Sequence, residues 1–551
     1  MAIRSLRPSR RTVLVWLAVL IPAVLIAVHA LRFANWIIDD AGITFAYARN
    51  LAEGYGLVAQ PGLEPVEGYS NFLWMILFTP FFWLHVFHAT LIPKLLSLIC
   101  ITATLAILDR TLARLTPRHA ALTFVAGLLL ASNASFVIWT TSGLENPLYV
   151  LLIAALAWVV ITDVIDTQPD RRRALLAGVL LAGIAMTRPD GLVYVGVVFL
   201  LPPLKTIGRG RRVNFRRVMN HLYLALGAFL LLYGAFIAFR LAYFHDVFPN
   251  TYWAKGGPSL SIVLDFLTLQ PEAIGKLRDL FAGLAGPLGD LLMLALVAGT
   301  VGLMLRRRWR REHTALLLFL LVGLGVYLLL PDDWMPEYRF ATPFFLFVYA
   351  YGAVLVEALW ARPTDAPVRR TWAIPAVLAA LAIAGSVAVY NPRSLRFAAG
   401  PTVPLQRVAT QVLGRFTQFA EVLGVDEPTV LLPDIGGMLL YGDLPVVDLG
   451  GLIDPFIART LHRGDAAAFR ERMFTDVRPA FIHTHGGFTY SARFDDDPRF
   501  RELYLPLCEY VDTGILDLTG ETMYSGDYVR RDLITPNNWG DFFRFQNYPC
   551  E

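Results

Sequence analysis

Two adjacent carboxylates, Asp39 and Asp40, stand just after the first long apolar run of the chain. The segment that follows is polar and rich in glycine and aromatic residues until a second apolar region begins at Phe72. Charged side chains at a membrane boundary cost free energy unless they are paired or functional, so we interpret the pair as a candidate site. Carboxylates can take a proton from a reacting hydroxyl or ligate a divalent cation. The alternative is that both are solvated charges at a helix end.

Other polar groups stand in the loops between later apolar runs. The broken segment Thr187-Arg-Pro-Asp-Gly191 is tolerated at membrane depth only where protein or water satisfies its backbone. Several such loops on one side of a membrane predict a hydrated external cavity, with carboxylates for base chemistry and cations for phosphate. The candidates outside the first loop are Glu145, Arg188, Asp190, Asn250, Lys255, Asp333 beside Asp332, and Arg339.

Each of these residues also has a simpler interpretation. Arg188 and Arg339 could extend their side chains to lipid headgroups, and Lys255 could be an interfacial anchor. Glu145 could cap the helix that begins near Pro147. The sequence alone leaves both interpretations open.

Two histidines in the C-terminal part form a further candidate pair. His483 and His485 would project from the same face of a strand and could ligate a metal. Since the sequence offers no third ligand nearby, a structural role is the favoured interpretation.

Composition restricts the class of protein. The 551 residues are 56% hydrophobic and only 17% charged, with a mean hydropathy of +0.52. These values predict a polytopic α-helical membrane protein rather than a soluble enzyme. The net charge of +4 comes from arginine clusters between apolar runs, so it indicates membrane orientation and no nucleic-acid partner.

Apolar runs of membrane length predict about eleven transmembrane helices, beginning with an uncleaved helix over Val13 to Leu31. Phe72 to Phe87 is expected to be a half-inserted or interfacial helix. Because arginine-rich loops stay inside, those at Arg171, Arg211 and Arg306 predict a cytoplasmic N-terminus. An odd number of crossings then places the C-terminus outside.

The chain changes character near residue 391, where charges, prolines and glycines begin to separate short apolar runs. Thr429–Pro433, Pro445–Asp448 and Pro479–His483 read as strands between helical pieces. We therefore predict a membrane domain over residues 1–390 and an extracytoplasmic α/β domain over residues 391–551. Cys508 and Cys550 could form a disulfide outside the cell, although spacing alone does not establish pairing.

The first polar loop resembles a known group of enzymes. Its residues Asp39-Asp-Ala, Tyr47-Ala-Arg-Asn50, Gly54-Tyr-Gly-Leu57 and Val66-Glu-Gly-Tyr-Ser-Asn-Phe-Leu-Trp74 resemble the first external loop of GT-C fold glycosyltransferases. The nearest branch is the terminal arabinofuranosyltransferases of mycobacterial cell walls and their bacterial relatives. Weaker similarities lie in Ser142–Glu145, Thr187–Gly191, Pro249–Lys255, Asp333–Arg339 and Val447–Leu452. Two departures are Gly42, where a bulky aromatic residue is expected, and Ala46, where arginine is expected.

This resemblance implies an integral-membrane enzyme of the bacterial cytoplasmic membrane. It would transfer a sugar, with arabinofuranose as a candidate, from a polyprenyl-phosphate donor to a cell-envelope glycan on the external face. One of Asp39 and Asp40 would deprotonate the acceptor hydroxyl, and the other would orient it or bind Mg²⁺, Mn²⁺ or Ca²⁺. We expect Asp39 to be the more important of the two.

The same resemblance implies that Lys255, Arg188 and Arg339 are candidates to neutralise the donor phosphate. The other implied substrate-binding residues are Arg49, Glu67, Tyr69, Asn71, Glu145, Asp190, Asn250 and Asp333. The alternative function is a non-catalytic scaffold, or a glycan- or partner-binding protein on the same fold, as in a relative linked to flagellar motor control.

Overall fold

The computed structural model describes residues 10–166, 168, 170–206, 215–256, 268, 270–331, 333–360 and 373–541. The chain forms two compact units, each assembled from three separate segments. The helical unit contains Met1–Asn35, Thr90–Ala238 and Pro258–Thr402. The sheet unit contains Trp36–Ala89, Phe239–Gly257 and Val403–Glu551.

Helices make up most of the helical unit and recur throughout the sheet unit. In chain order they are α1 (Arg10–Ala30), α2 (Asp39–Ala52), α3 (Phe72–Trp83), α4 (Leu91–Ala113), α5 (His119–Ser132), α6 (Ala134–Thr140), α7 (Asn146–Ile165), α8 (Arg171–Thr187), α9 (Val195–Phe199), α10 (Leu201–Thr206), α11 (Phe215–Phe244), α12 (Asn250–Lys255), α13 (Pro271–Ala285), α14 (Gly289–Leu305), α15 (Arg311–Leu329), α16 (Thr342–Trp360), α17 (Ala373–Ala399), α18 (Leu405–Arg407), α19 (Leu413–Leu423), α20 (Gly436–Tyr441), α21 (Pro455–His462), α22 (Ala466–Arg472), α23 (Gly486–Ala492), α24 (Pro498–Leu503) and α25 (Thr513–Thr519).

The long apolar helices fit a polytopic membrane protein. Within the described ranges, eight helices are long and apolar enough to cross a bilayer, or nine if the bent pair α5–α6 counts as one span. The eleven predicted crossings therefore include segments shorter than a full span. Helix α8 has 17 residues, and the stretch Pro189–Leu204 is divided into short pieces.

The bend between α5 and α6 measures 80° and occurs at Asn133. The Asn133 side chain accepts a hydrogen bond from the backbone N–H of Phe136 at 2.9 Å, which starts a new helix in a new direction. Helix α3, with 12 residues, spans only about 18 Å, too short to cross a hydrocarbon core of about 30 Å. Its length agrees with the interfacial helix predicted there.

The C-terminal part of the sheet unit contains a mixed five-stranded sheet. Its strands are β1 (Val430–Leu432), β2 (Val446–Asp448), β3 (Phe481–Thr484), β4 (Tyr504–Val511) and β5 (Tyr524–Arg530). They lie in the order β2-β1-β3-β5-β4, with the first three parallel and the last two pairings antiparallel.

The apolar runs Thr429–Pro433, Pro445–Asp448 and Pro479–His483 correctly predicted the three parallel strands. These strands are short and mostly buried, as is typical of parallel sheets covered on both faces. Leu431 and Ile482 pack in a core that also contains Phe469, Phe500 and Tyr528. The predicted domain boundary near residue 391 lies inside α17, and the C-terminal segment of the sheet unit begins at Val403.

Candidate active site

Asp39 attaches helix α2 to helix α20 within the sheet unit. Its two carboxylate oxygens accept hydrogen bonds from the backbone N–H groups of Gly436 and Gly437, both at 2.7 Å. The Asp39 backbone N–H also donates to the carbonyl of Val403 at 2.9 Å. Because both carboxylate oxygens are bonded and the residue is only 2% exposed, Asp39 has the environment of a structural anchor.

Glycines allow this close approach. A Cβ at Gly436 would lie 1.8 Å from the Asp39 carbonyl oxygen, and one at Gly42 would lie 2.6 Å from the Gly436 carbonyl. Any larger side chain at either position would push the two helices apart. The contact gives a physical reason for glycine at position 42, where the first-loop resemblance predicts a bulky aromatic residue.

The surroundings of Asp39 also disfavour its charge. Burial raises the pKa of Asp39 well above its ordinary value, and the nearby Asp434 carboxylate raises it further. The two N–H donors oppose this shift without cancelling it. A buried group whose two oxygens each already accept a backbone hydrogen bond is a poor candidate to meet an acceptor hydroxyl.

Asp40 has the opposite environment. Successive helical residues point about 100° apart, so Asp40 turns away from α20. Its carboxylate Oδ2 lies 3.5 Å from the Nζ atom of Lys255 at the end of α12, and the two side chains are 23% and 43% exposed. The sheet unit thus presents an accessible carboxylate beside an accessible cation.

A divalent cation does not fit these residues. Asp39 is buried with each of its oxygens already bonded to a backbone N–H group, and Lys255 places a positive charge beside Asp40. Across the described residues, no group of three or more His, Cys, Asp or Glu side chains is arranged to hold a metal ion. We therefore assign no metal-dependent step to Asp39 and Asp40.

Several first-loop candidates are instead partnered inside the sheet unit. Glu67 forms a buried ion pair with Arg240, with Nε 2.6 Å from Oε2 and Nη2 donating to Oε1 at 3.0 Å. Arg49 donates to the carbonyls of Leu440 at 2.7 Å and Leu439 at 3.1 Å, at the end of α20. These two predicted substrate-binding residues stabilise the fold of the loop.

Tyr69, Asn71 and Asn250 are also buried. The Tyr69 ring packs edge-on against Tyr47 at a centroid distance of 4.7 Å. Asn71 donates to the Thr44 hydroxyl at 3.1 Å. The Asn250 amide donates to the carbonyls of Gly451 at 2.7 Å and Leu452 at 2.9 Å, which holds α12 against the loop after β2.

The remaining candidates belong to the helical unit. The Arg188 guanidinium donates to Glu145 Oε1 at 2.7 Å and to Asp190 Oδ1 at 3.0 Å, and the Tyr149 hydroxyl donates to Asp190 at 3.1 Å. The Arg339 Nε lies 2.7 Å from Asp333 Oδ2. Neither arginine points to open solvent, since both residues are buried.

The Phe340 ring contacts the guanidinium groups of both Arg188 and Arg339. The Arg188 and Arg339 guanidinium carbons lie 4.7 Å and 4.5 Å from the centroid of the Phe340 ring. Three carboxylates surround these two cations, so this cluster carries no net positive charge to attract a phosphate. Asp332 lies outside the described residues. That all these groups line a common external cavity stays a prediction.

The two histidines each pair with a separate carboxylate. His483 Nδ1 lies 2.6 Å from Asp527, which also lies 3.0 Å from the Arg415 guanidinium. His485 Nε2 lies 3.0 Å from Asp434 Oδ2. Burial alone would lower the pKa of His485, but the hydrogen bond and charge of Asp434 outweigh it and raise the pKa. This arrangement supports hydrogen bonding rather than metal ligation.

Sequence reasoning missed Arg240, Asp434 and the glycine pair Gly436-Gly437. Arg240 had a signal, because an arginine inside the apolar run of α11 needs a partner. The glycine pair follows a strand and starts a helix, a position where backbone N–H groups often bind an anion. Here these N–H groups donate to the Asp39 side chain of the same chain.

No protein-family model matches the chain, and no curated protein matches it in sequence. Solved structures do resemble it, and they define the fold as that of the GT-C glycosyltransferases, which confirms the fold expected from the first loop. At identities this low the likeness establishes the fold alone.

Three of the solved structures that resemble this chain come from an archaeon, a bacterium and mycobacteria. The apo oligosaccharyltransferase of Archaeoglobus fulgidus aligns with a TM-score of 0.56 and 12% identity, over 92% of this chain and 74% of that one. Apo ArnT from Cupriavidus metallidurans aligns with a TM-score of 0.53 and 16% identity, over 96% of this chain and all of the other. The mycobacterial arabinofuranosyltransferase AftD aligns with a TM-score of 0.48 and 19% identity, over 87% of this chain and 37% of that one.

Proposed function

We propose that this protein is an integral-membrane glycosyltransferase that uses Asp40 and Lys255 at its reacting centre. The observation that carries the proposal is the 3.5 Å pair of a partly exposed carboxylate and a partly exposed ammonium on a GT-C fold. Transfer from a phosphate-linked sugar needs a base for the acceptor and a cation for the leaving group. Asp40 and Lys255 supply both in one place.

In the proposed reaction, an acceptor hydroxyl oxygen forms a bond to the anomeric carbon of the donor sugar. The bond between that carbon and the donor phosphate oxygen breaks, and the phosphate leaves with the electron pair. Asp40 takes the hydroxyl proton, and the Lys255 ammonium stabilises the negative charge that grows on the phosphate. Asp39 holds α2 so that Asp40 faces α12.

We propose a polyprenyl-phosphate sugar as the donor and a cell-envelope glycan as the acceptor. The Archaeoglobus fulgidus enzyme AglB, which has the same fold, has been solved with a dolichol-phosphate and an inhibitory peptide bound, which supports a lipid-phosphate donor. Arabinofuranose is the proposed sugar because of the first-loop resemblance. The arginine-rich loops support reaction at the external face of the cytoplasmic membrane.

The second candidate function is a non-catalytic glycan- or partner-binding protein. The observation in its favour is that Arg188 and Arg339 are both neutralised by carboxylates of the protein itself. On this alternative the fold is retained without turnover, and Asp40 and Lys255 are a surface ion pair worth less than about 1 kcal/mol.

Turnover by the purified full-length protein separates the two functions. Detergent-solubilised protein is given radiolabelled polyprenyl-phosphate arabinofuranose or a polyprenyl-phosphate hexose, together with a cell-envelope glycan extract. We expect transfer from one donor, and we expect Asp40→Asn to lower the rate by about 10²–10⁴-fold, the usual contribution of a positioned base. Glu64→Gln, at an exposed carboxylate of the same loop, is the matched control and should transfer at the parental rate.

No transfer from any donor would support the non-catalytic alternative. If Asp40→Asn transfers sugar at the parental rate, Asp40 is not part of the reacting centre. The proposal that the protein is a glycosyltransferase would still stand.

A further inference from the structure

A large apolar groove runs along the membrane helices of the helical unit. Its walls are formed mainly by α5, α14, α16 and α17, and it encloses about 1010 Å³. That volume is at the upper end of the range for ligand pockets. Leu291 of α14 and Leu381 of α17 line it and are 61% and 63% exposed, so the groove is open at the protein surface.

The groove exists because two of its helices pack loosely on the rest of the unit. Of the 17 residues of α14, only Gly289 and Leu303 are buried. Of the 27 residues of α17, four are buried, and all four lie in its second half. In contrast, most residues of α16, which lies against α14, are buried. The first half of α17 therefore leaves apolar surface without a protein neighbour.

The inner surface of the groove offers no open polar group. The Tyr349 hydroxyl accepts a hydrogen bond from the Asn133 amide at 3.0 Å, and the Ser386 and Ser132 hydroxyls bond to each other at 2.6 Å. Since a buried water needs polar partners, this space suits an apolar chain. From Pro375 to Val389 the groove follows α17 for about 20 Å, more than half of a hydrocarbon core of about 30 Å. An acyl chain of one leaflet fits that length.

One end of the groove is basic. Arg118 lines this end, and Arg306, the first of three consecutive arginines after α14, donates to the carbonyl of Leu359, another lining residue, at 3.2 Å. The Glu357 carboxylate also stands here, but it accepts from the Thr116 hydroxyl at 2.5 Å and from Arg118 at 3.2 Å. Within the described residues Arg306 pairs with no carboxylate, so an uncompensated positive charge remains at this end.

We propose that the groove binds an anionic glycerophospholipid, with an acyl chain along α17 and its phosphate at Arg306. Basic pockets between transmembrane helices on the cytoplasmic side bind the headgroups of anionic lipids. The arginines at this end belong to the loops predicted to be cytoplasmic, so the lipid comes from that leaflet. Sugar transfer is proposed at the external face. The lipid is therefore not the sugar donor, and this inference does not rest on the proposed function.

The test measures lipid binding to the full-length protein, purified in mild detergent and stripped of lipid. Phosphatidylglycerol and phosphatidylcholine with identical acyl chains are added separately, and the bound lipid is counted by native mass spectrometry. We expect the parent to retain at least fivefold more phosphatidylglycerol than phosphatidylcholine. Phosphatidylglycerol should also raise the thermal unfolding midpoint, because a ligand that binds only the folded state stabilises it.

Two substitutions separate the acyl chain from the headgroup. Ala382→Trp fills the groove and should lower bound phosphatidylglycerol at least fivefold. Its matched control is Ala384→Trp, because Ala384 is exposed on the same helix, points about 200° away and does not line the groove. The control should change binding less than twofold.

Arg306→Gln should remove the preference for phosphatidylglycerol and leave phosphatidylcholine binding within twofold of the parent. Arg172→Gln makes the same change at an exposed arginine of α8 outside the groove and should keep the preference. Because Arg306 is exposed, its variant keeps the test decisive even if Ala382→Trp fails to fold.

Three outcomes would overturn the proposal. The parent binds the two phospholipids equally, or Arg306→Gln keeps the parental preference. Decaprenyl phosphate displaces phosphatidylglycerol at equimolar amounts, which would assign the groove to the donor lipid. The lipid-free parent is a dimer that Ala382→Trp dissociates, which would make the groove an interface with a second copy.

Discussion

Asp39 and Asp40 are adjacent carboxylates whose surroundings differ because one helical step separates their directions. The sequence identified the pair from its position after an apolar run. It did not assign the roles, because the groups that bond Asp39 lie 397 residues further along the chain. We expected Asp39 to be the more important residue for catalysis, and the surroundings of the two carboxylates lead us to propose Asp40 as the base instead.

This division of roles predicts different effects of the same substitution. Asp39→Asn should lower stability by about 1–3 kcal/mol, because its amide places a donor against one of the two backbone N–H groups and leaves that group unsatisfied. Asp40→Asn should leave stability within about 0.5 kcal/mol. Thermal unfolding of both purified variants measures this. Equal unfolding midpoints for the two variants would contradict the anchoring role of Asp39.

Lys255 offers a second prediction at the residue scale. Lys255→Gln removes the cation that is proposed to meet the donor phosphate, so the donor KM should rise by about 10- to 100-fold, as expected for loss of a charge-assisted hydrogen bond of 1.5–3 kcal/mol. Lys255→Arg keeps the charge and should recover most of the donor affinity.

Steady-state kinetics with varied donor concentration provide the measurement. A parental donor KM in Lys255→Gln would show that another group binds the phosphate. The acceptor KM serves as the internal control, because Lys255 has no proposed contact with the acceptor.

At the scale of elements, the contact between α2 and α20 depends on glycine. Gly436→Ala places a methyl group 1.8 Å from the Asp39 carbonyl oxygen, a distance no Cβ can adopt, so the two helices must separate. We expect a loss of stability of more than about 3 kcal/mol, as for severe overpacking. Limited proteolysis of the first loop and thermal unfolding would both report it.

Gly414→Ala is the matched control, because Gly414 lies in helix α19 and a Cβ there meets no atom within 4 Å. Alanine should stabilise that helix by about 0.5–1 kcal/mol. A Gly436→Ala variant as stable as the parent would mean that α2 and α20 are not held as described.

The sequence pattern predicts some strands of the sheet and misses others. Strands β1 to β3 are short apolar runs between turn residues, so their pattern was readable. Strands β4 and β5 contain Pro506 and Gly526, residues that normally argue against a strand. The register shifts between Pro506 and Cys508, and Gly526 lies against the Cys508 carbonyl, so a bulge accommodates both.

At the scale of the whole molecule, hydropathy identified a multi-pass membrane protein. Of the about eleven predicted crossings, the described residues contain eight or nine helices long and apolar enough to span a bilayer. Apolar composition gives the length of each apolar run in the sequence. It does not show where a helix breaks inside such a run, because the breaks at Asn133 and after Pro189 depend on capping and backbone geometry. Which end of each helix faces the cytoplasm was inferred from arginine clusters and stays a prediction.

Thiol labelling in intact cells tests that orientation. Leu518→Cys places a thiol on a residue that is 87% exposed in the C-terminal segment, and Arg307→Cys places one in the loop between α14 and α15. A membrane-impermeant maleimide should label the first variant and not the second until the membrane is opened. The reverse labelling pattern would place the C-terminal segment in the cytoplasm and contradict the predicted orientation. Labelling of the parent chain corrects for native cysteines.

The assembly of the sheet unit from three distant segments has a consequence for biosynthesis. At about 5–20 residues per second, a ribosome needs roughly 20 to 80 s to advance the 397 residues from Asp39 to Gly436. During that interval helix α2 has been made but its partners have not. Helix α2 therefore exists for all of this interval without helix α20, the element that its Asp39 side chain bonds. A ribosome that stalls late would leave every earlier span inserted and this unit without the segment that completes it.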